Sequence, residues 1–214
     1  MVRGPIVMSV AAILGAALLS GAEGARIVTM PTARLVSAGN VCISYFWADM
    51  ATSNPYAPQS MSIGILGVGL TPNLELDATY LKPEGASGMT SIGVECLVSR
   101  ETLRQPAVAL GAEDILQEID DTSFYLVLSK IVTKRRGPRP TYPAVGLTLG
   151  HTTRPGGDMF GGAQARLSPQ VSVCAAWDGH ESIYSLSYRV PDSALVLMAG
   201  TLGDSRWVGA RYTM

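Results

Sequence analysis

"RLSPQVSVCAAWDG", Arg166 to Gly179, alternates, reverses at a bare Ser-Pro-Gln and alternates again. Val171, Val173, Ala175 and Trp177 fall on one face, opposite Ser172, Cys174 and Asp178. A period of two belongs to a β-strand whose faces meet different surroundings. The same figure occurs at "GLTPNLELDATYL" (Gly69 to Leu81) and at "YRVPDSALVLMAG" (Tyr188 to Gly200). Three tight proline reversals between alternating stretches point to a repeated hairpin.

Reading outward from them, twelve segments have strand character, near 39–47, 61–70, 74–82, 89–99, 106–113, 123–132, 143–151, 160–167, 171–178, 182–190, 194–201 and 206–214. In the first, Val41, Ile43, Tyr45 and Trp47 oppose Cys42 and Ser44. In the third, Leu74, Leu76, Ala78 and Tyr80 oppose Glu75, Asp77 and Thr79. The last sets Val208, Ala210, Tyr212 and Met214 against Gly209, Arg211 and Thr213. Helical signals are confined to "AEDILQEIDD" (Ala112 to Asp121) and to a single turn in "SRETLRQP" that Pro106 stops.

The N-terminus says where such a chain is sent. Arg3 precedes an apolar run from Ile6 to Ala22 that ends in small residues. Residues 1–24 read as a cleaved secretory signal, the run being short for a span of roughly 20 apolar residues. The remainder, 25–214, suits one domain. A formal net charge of -1 offers no electrostatic case for a nucleic-acid partner. Mean hydropathy is +0.24, yet no later stretch is long and apolar enough for a membrane helix. Such an exported chain buries its apolar residues in a large core or shows them to lipid as a closed barrel. Cys42, Cys96 and Cys174 are an odd number, so no closed disulfide framework is implied.

The connections favour the barrel. Alternate ones are "TPN", "RETLRQ", "TKRRGPRPTY", "SPQ" and "VPDS", and these hold all three tight proline reversals. The other set runs from "ADMATSNPYAPQS" through "PEGASG", "DILQEIDDT", "TTRPGGDM" and "DGHE" to "LGDS". Outer-membrane barrels keep short turns on the periplasmic side and longer loops outside. The basic run Lys134 to Pro140 then reads as a solvated periplasmic turn. Trp47, Tyr80, Phe124, Phe160, Trp177 and Trp207 fall near the predicted outer strand ends, where rings at the lipid–water boundary form a girdle.

Charges at alternating strand positions fit a lumen. Glu75, Asp77, Glu95, Asp178, Arg166, Arg189 and Arg211 would be costly against an apolar core but can pair with one another inside a barrel. The alternative, a soluble secreted or periplasmic β-sandwich that binds a ligand, makes them its solvated outer face.

Several pieces resemble YjbH-type bacterial outer-membrane barrels. They are "MPTARLVSAGNVCISYF" (Met30 to Phe46), "GLTPNLELDATY", "PAVALGAEDI" (Pro106 to Ile115), "FGGAQARLSPQVSVCAAWDG" and the closing strand. The resemblance covers most of the mature chain and implies a short, single-barrel form. It also implies an association with exopolysaccharide production and export, and with envelope polysaccharide machinery as a partner. The closing "WVGARYTM", with Gly209, Tyr212 and Met214, is similar to the signal read by the barrel-assembly machinery. Trp207 and Met214 depart from its usual polar and terminal Phe positions.

Catalytic patterns are weak. Asp178, His180 and Ser182 are neighbours on one tight loop and cannot readily point at one another as a triad. A membrane-embedded enzyme acting on lipids finds no convincing site, and no cluster has metal-ligand spacing. The sequence therefore predicts an antiparallel, up-and-down transmembrane β-barrel of about twelve strands in the outer membrane of a Gram-negative-type bacterium. It is expected to be a narrow pore or structural envelope barrel, contacting outer-membrane lipids, with no cofactor and no enzymatic activity.

Overall fold

The computed structural model describes residues 31–50, 58–133, 142–154 and 159–214. The predicted signal, the basic run at 134–140 and most of the first loop lie outside the described residues. Twelve strands follow one another: β1 (Val41–Asp49), β2 (Ser60–Thr71), β3 (Leu74–Pro83), β4 (Met89–Ser99), β5 (Ala107–Glu113) and β6 (Ser123–Ile131). The second half contains β7 (Ala144–Thr152), β8 (Met159–Arg166), β9 (Val171–Trp177), β10 (Ser182–Arg189), β11 (Leu195–Leu202) and β12 (Ser205–Thr213). Each pairs antiparallel with its sequence neighbours, and β1 closes on β12 from Cys42–Thr213 to Asp49–Arg206. One closed sheet replaces the two sheets of a sandwich, and closure removes every exposed edge.

The proline reversals are held by hydroxyls. Thr71 pairs with Leu74 across Pro72-Asn73, and Thr71 Oγ1 accepts the Asn73 N–H at 3.2 Å. Ser168 Oγ accepts the N–H groups of Gln170 and Val171, and Ser193 Oγ accepts that of Leu195. These short acceptors let the chain reverse without a longer loop. Neither predicted helical turn forms. In the β5–β6 loop Asp114 and Gln117 take positive φ (53° and 56°), and Asp114 Oδ2 accepts the N–H groups of Ile119 and Asp120. In the β4–β5 loop Thr102 Oγ1 accepts the Gln105 N–H at 3.1 Å. Side-chain acceptors compete with the helical ladder for these amides and win.

Both described chain ends of the barrel, Val41 and Thr213, lie at one rim, here called the terminal rim. The Pro72, Pro169 and Pro191 turns share it, and the remaining connections form the far rim. Every strand exposes a large hydrophobic side chain outward, from Ile43, Leu66 and Leu76 through Leu126, Leu147 and Leu186 to Leu197 and Val208. Soluble monomers rarely expose continuous apolar surface on that scale. Arginine at Val173 or Ala175, both outward on β9, should weaken folding into lipid vesicles by about 2–4 kcal/mol near the bilayer midplane. A urea titration of vesicle-folded variants reads this directly.

Candidate functional site in the barrel interior

The interior is filled rather than open. Phe46, Met61, Ile63, Leu81, Ile183, Met198, Leu202 and Trp207 form one buried apolar cluster, mostly from the far-rim halves of β1–β3 and β10–β12. Ala33, Ala107, Ala109, Tyr125, Val127, Phe160 and Cys174 form a second on the β5–β9 side. Phe46 and Trp207 meet edge to face at 6.0 Å and 86°. Each inward ring stands opposite a glycine on the neighbouring strand: Phe46 opposite Gly209, Trp207 opposite Gly200, Tyr125 opposite Gly111 and Phe160 opposite Gly150. A Cβ on Gly200 would come within 2.3 Å of the Trp207 ring, and one on Gly209 within 2.1 Å of Phe46. The glycines make room for rings lying flat along the inner wall.

This corrects the girdle. Trp207 and Phe160, expected at the lipid boundary, are 4% and 2% exposed and point inward. Trp207 shares its face with Gly209 and Arg211, and Phe160 shares its face with Gln164, so parity places them inside whatever their height. Trp47, Tyr80, Phe124 and Trp177 are exposed on the outer wall, and Tyr45 and Tyr184 join them near the far rim. Tyr188 and Tyr212 occupy the outer wall toward the terminal rim.

The seven predicted lumen charges fall in three places. Glu75, Asp77, Glu95 and Arg211 are buried inside. Arg211 Nε donates to Ser44 Oγ at 3.1 Å and lies within the electrostatic reach of Glu75. With Val36, Cys42 and Asp77 these groups surround a void of about 20 Å³. Glu95 Oε2 accepts the Tyr125 hydroxyl at 2.7 Å. Arg166 and Arg189 end β8 and β10 at the terminal rim, away from this group. Asp178 is no lumen residue. It sits in the β9–β10 turn, where Oδ1 accepts the N–H groups of His180 and Glu181 at 2.9 and 2.8 Å. A carboxylate just past a strand satisfies the turn's own amides, so Asp178 is not aimed at His180 as a triad partner would be.

Residues 31–38, which the sequence assigns to no strand, run inside the barrel from the terminal rim. Thr32, Ala33 and Val36 are buried. The Ala33 N–H donates to Ser129 Oγ at 3.1 Å and the Val36 N–H to Glu75 Oε2 at 2.6 Å. The segment lies against β2, where a Cβ on Gly69 would fall 2.2 Å from the Ser37 carbonyl oxygen. Beside it opens a vestibule of about 740 Å³, lined by Arg34, Arg100 and Arg166 together with Ser37 and Gln164.

At the far rim Glu181 stands apart chemically. Burial raises its pKa above the ordinary glutamate value, and the neighbouring Asp178 and Asp204 carboxylates add to the rise. The folded state therefore holds this proton more tightly than the unfolded chain. Stability from this group is fully present below the unfolded value and is lost as pH rises through the raised folded one. Glu181→Gln should flatten that fall and leave the far-rim turns more stable at neutral pH, as hydrogen exchange of residues 178–182 would show.

Among the described residues no group of His, Cys, Asp and Glu is arranged to hold a metal ion. Cys42 and Cys174 are buried and Cys96 is exposed on the outer wall, with no disulfide among the described residues.

No protein-family model and no curated protein sequence matches the chain. Among solved structures it is similar to the KdgM porin in complex with disordered oligogalacturonate. That likeness has 10% identity, 81% of this chain, 98% of that chain and a TM-score of 0.52. The shared feature is the closed barrel. An outer-membrane channel from Pseudomonas putida F1 is 13% identical over 92% of this chain and 98% of its own, with a TM-score of 0.44. The N-terminal β-barrel domain of Pseudomonas aeruginosa OprF is 12% identical over 84% and 100%, with a TM-score of 0.30.

Proposed function

We propose that the protein is an outer-membrane β-barrel of a Gram-negative-type bacterium, a structural envelope barrel or narrow pore whose lumen is shut at rest. The observation that supports this best is the inversion of its two faces. Large apolar side chains are exposed on all twelve strands, while the interior holds two packed clusters, a buried charge group and the segment 31–38. Leaving the outer wall in water would cost roughly 25 cal/mol for each Å² of apolar surface. Lipid removes that cost. The terminal rim, with its two-residue Pro72-Asn73 turn, faces the periplasm in this reading, since short turns belong on that side.

Fractionation with surface labelling tests the proposal. In a Cys96→Ser background, cysteine at Ser87 on the far rim should react with an impermeant reagent on intact cells, and cysteine at Asn73 should not. Recovery of most of the chain in the soluble periplasm would overturn the location, and the reverse labelling would overturn the orientation. In planar bilayers the barrel should conduct far less than an open porin. The resemblance to YjbH-type barrels adds an association with exopolysaccharide production or export. Loss of extracellular polysaccharide on deletion of the gene would support that link, and unchanged polysaccharide would remove it.

A further inference from the structure

We infer that the vestibule at the terminal rim is a binding site for an anionic oligomer, with Arg34, Arg100 and Arg166 as its oxyanion contacts. The cavity, about 740 Å³, lies in the range of sites that take drug-sized ligands. Its three guanidinium groups come from three separate elements: the inner segment, the turn after β4 and the end of β8. Among the described residues that line it there is no carboxylate. Glu101 is the acid nearest Arg34 in effect. It also bridges Lys130 at 3.8 Å and accepts the Ile131 N–H at 2.8 Å.

The cations also repel one another. Arg166 acts unfavourably on both Arg34 and Arg189. A ligand carrying several oxyanions would relieve that repulsion. Guanidinium forks match carboxylate and phosphate oxygens in pairs. Ser37 and Gln164 add neutral polar groups to the same wall. Arg100 is held in place by the β2–β3 turn, its Nη2 donating to the Pro72 carbonyl at 3.3 Å and to Asn73 Oδ1 at 3.2 Å. Three arginines from three elements around one cavity of about 740 Å³ suit a ligand with several oxyanions better than a single small anion.

The test uses the full folded chain in zwitterionic detergent micelles, titrated with oligogalacturonate, tripolyphosphate and a neutral malto-oligosaccharide. Both anions should bind and the neutral sugar should not, and binding should weaken strongly from about 50 mM to about 500 mM salt. Carboxylate and phosphate share this chemistry, and the tighter of the two arms names the source. Arg34→Gln with Arg166→Gln should weaken binding about tenfold or more, and Arg100→Gln alone a few-fold. Arg206→Gln at the far rim should change nothing. Equal binding of the neutral sugar, or an unchanged affinity in folded Arg34→Gln/Arg166→Gln protein, would overturn the site. Folding is judged by heat-modifiable gel mobility. If that pair misfolds, the salt dependence of the native chain and the Arg100→Gln result decide. This readout needs neither conduction nor cellular location, so its failure is distinguishable from failure of the function proposed above.

Discussion

Replacing Trp207 with alanine should destabilise the barrel by about 3–5 kcal/mol, the range for emptying an aromatic site in a packed core. The indole is enclosed: it meets Phe46 edge to face at 6.0 Å and lies across Gly200. Nothing small can follow it into the space, because Phe46 is itself fixed against Gly209. The same change at Trp47 or Trp177 removes a ring already exposed on the outer wall, so its cost should be clearly smaller. Trp207→Phe should recover most of the loss, since the indole Nε1 makes no hydrogen bond among the described residues. Folding equilibria in lipid vesicles separate the cases. Equal losses at Trp207 and Trp47 would place both rings on the same wall and refute the inward assignment. The cavity left by Trp207→Ala should also raise conductance, because that cluster closes the far-rim half of the lumen.

Trp207 shows what a sequence makes legible and what it leaves open. The strands were legible because their two faces meet different surroundings, and a period of two survives even where composition is bland. Height along a strand and side of the sheet are separate facts, however. Position near an outer end suggested a girdle for Trp207 and Phe160, while parity already put Trp207 with Gly209 and Arg211. The pairing of Trp207 with Gly200 was also within reach, since a two-residue Gly203-Asp204 turn fixes the β11–β12 register. The facing of Phe46 and Gly209 was not. It depends on closure between the first and last strands, which no local pattern encodes.

Residues 31–38 were illegible for a different reason. A segment inside a barrel makes irregular contacts with several strands, so neither period appears in "PTARLVSA". The trace it leaves is on β2, where Gly67 and Gly69 remove inward side chains along its path. For Asp178 the expectation and the structure differ by one residue of strand length. Alternation carried it into the lumen series, but the strand ends at Trp177 and its carboxylate satisfies the turn. The vestibule leaves no local signal, because Arg34, Arg100 and Arg166 are far apart in sequence and only the closed fold brings them to one rim.

The Arg211→Met variant should lose about 3–5 kcal/mol of stability, because removing one member of a buried charge group leaves its partners uncompensated. Arg211 is 3% exposed, with Glu75 and Asp77 buried in the same group. Methionine approximates the length of the side chain, so lost packing is a minor part of the effect. Glu75 also accepts the Val36 N–H, which ties the inner segment to the wall. Without the arginine this carboxylate should draw in water, and the segment should loosen with it. Cysteine at Ser37 would then alkylate faster in the Arg211→Met background than in the native one. Adding Glu75→Gln and Asp77→Asn removes the stranded charges and should restore much of the stability, a coupling that a mutant cycle measures. The restored barrel should keep its fast alkylation at position 37, because glutamine holds the Val36 amide less strongly than a carboxylate does. If the triple variant were no more stable than Arg211→Met alone, packing rather than charge would govern this part of the lumen, and the group around Arg211 would not be an electrostatic one.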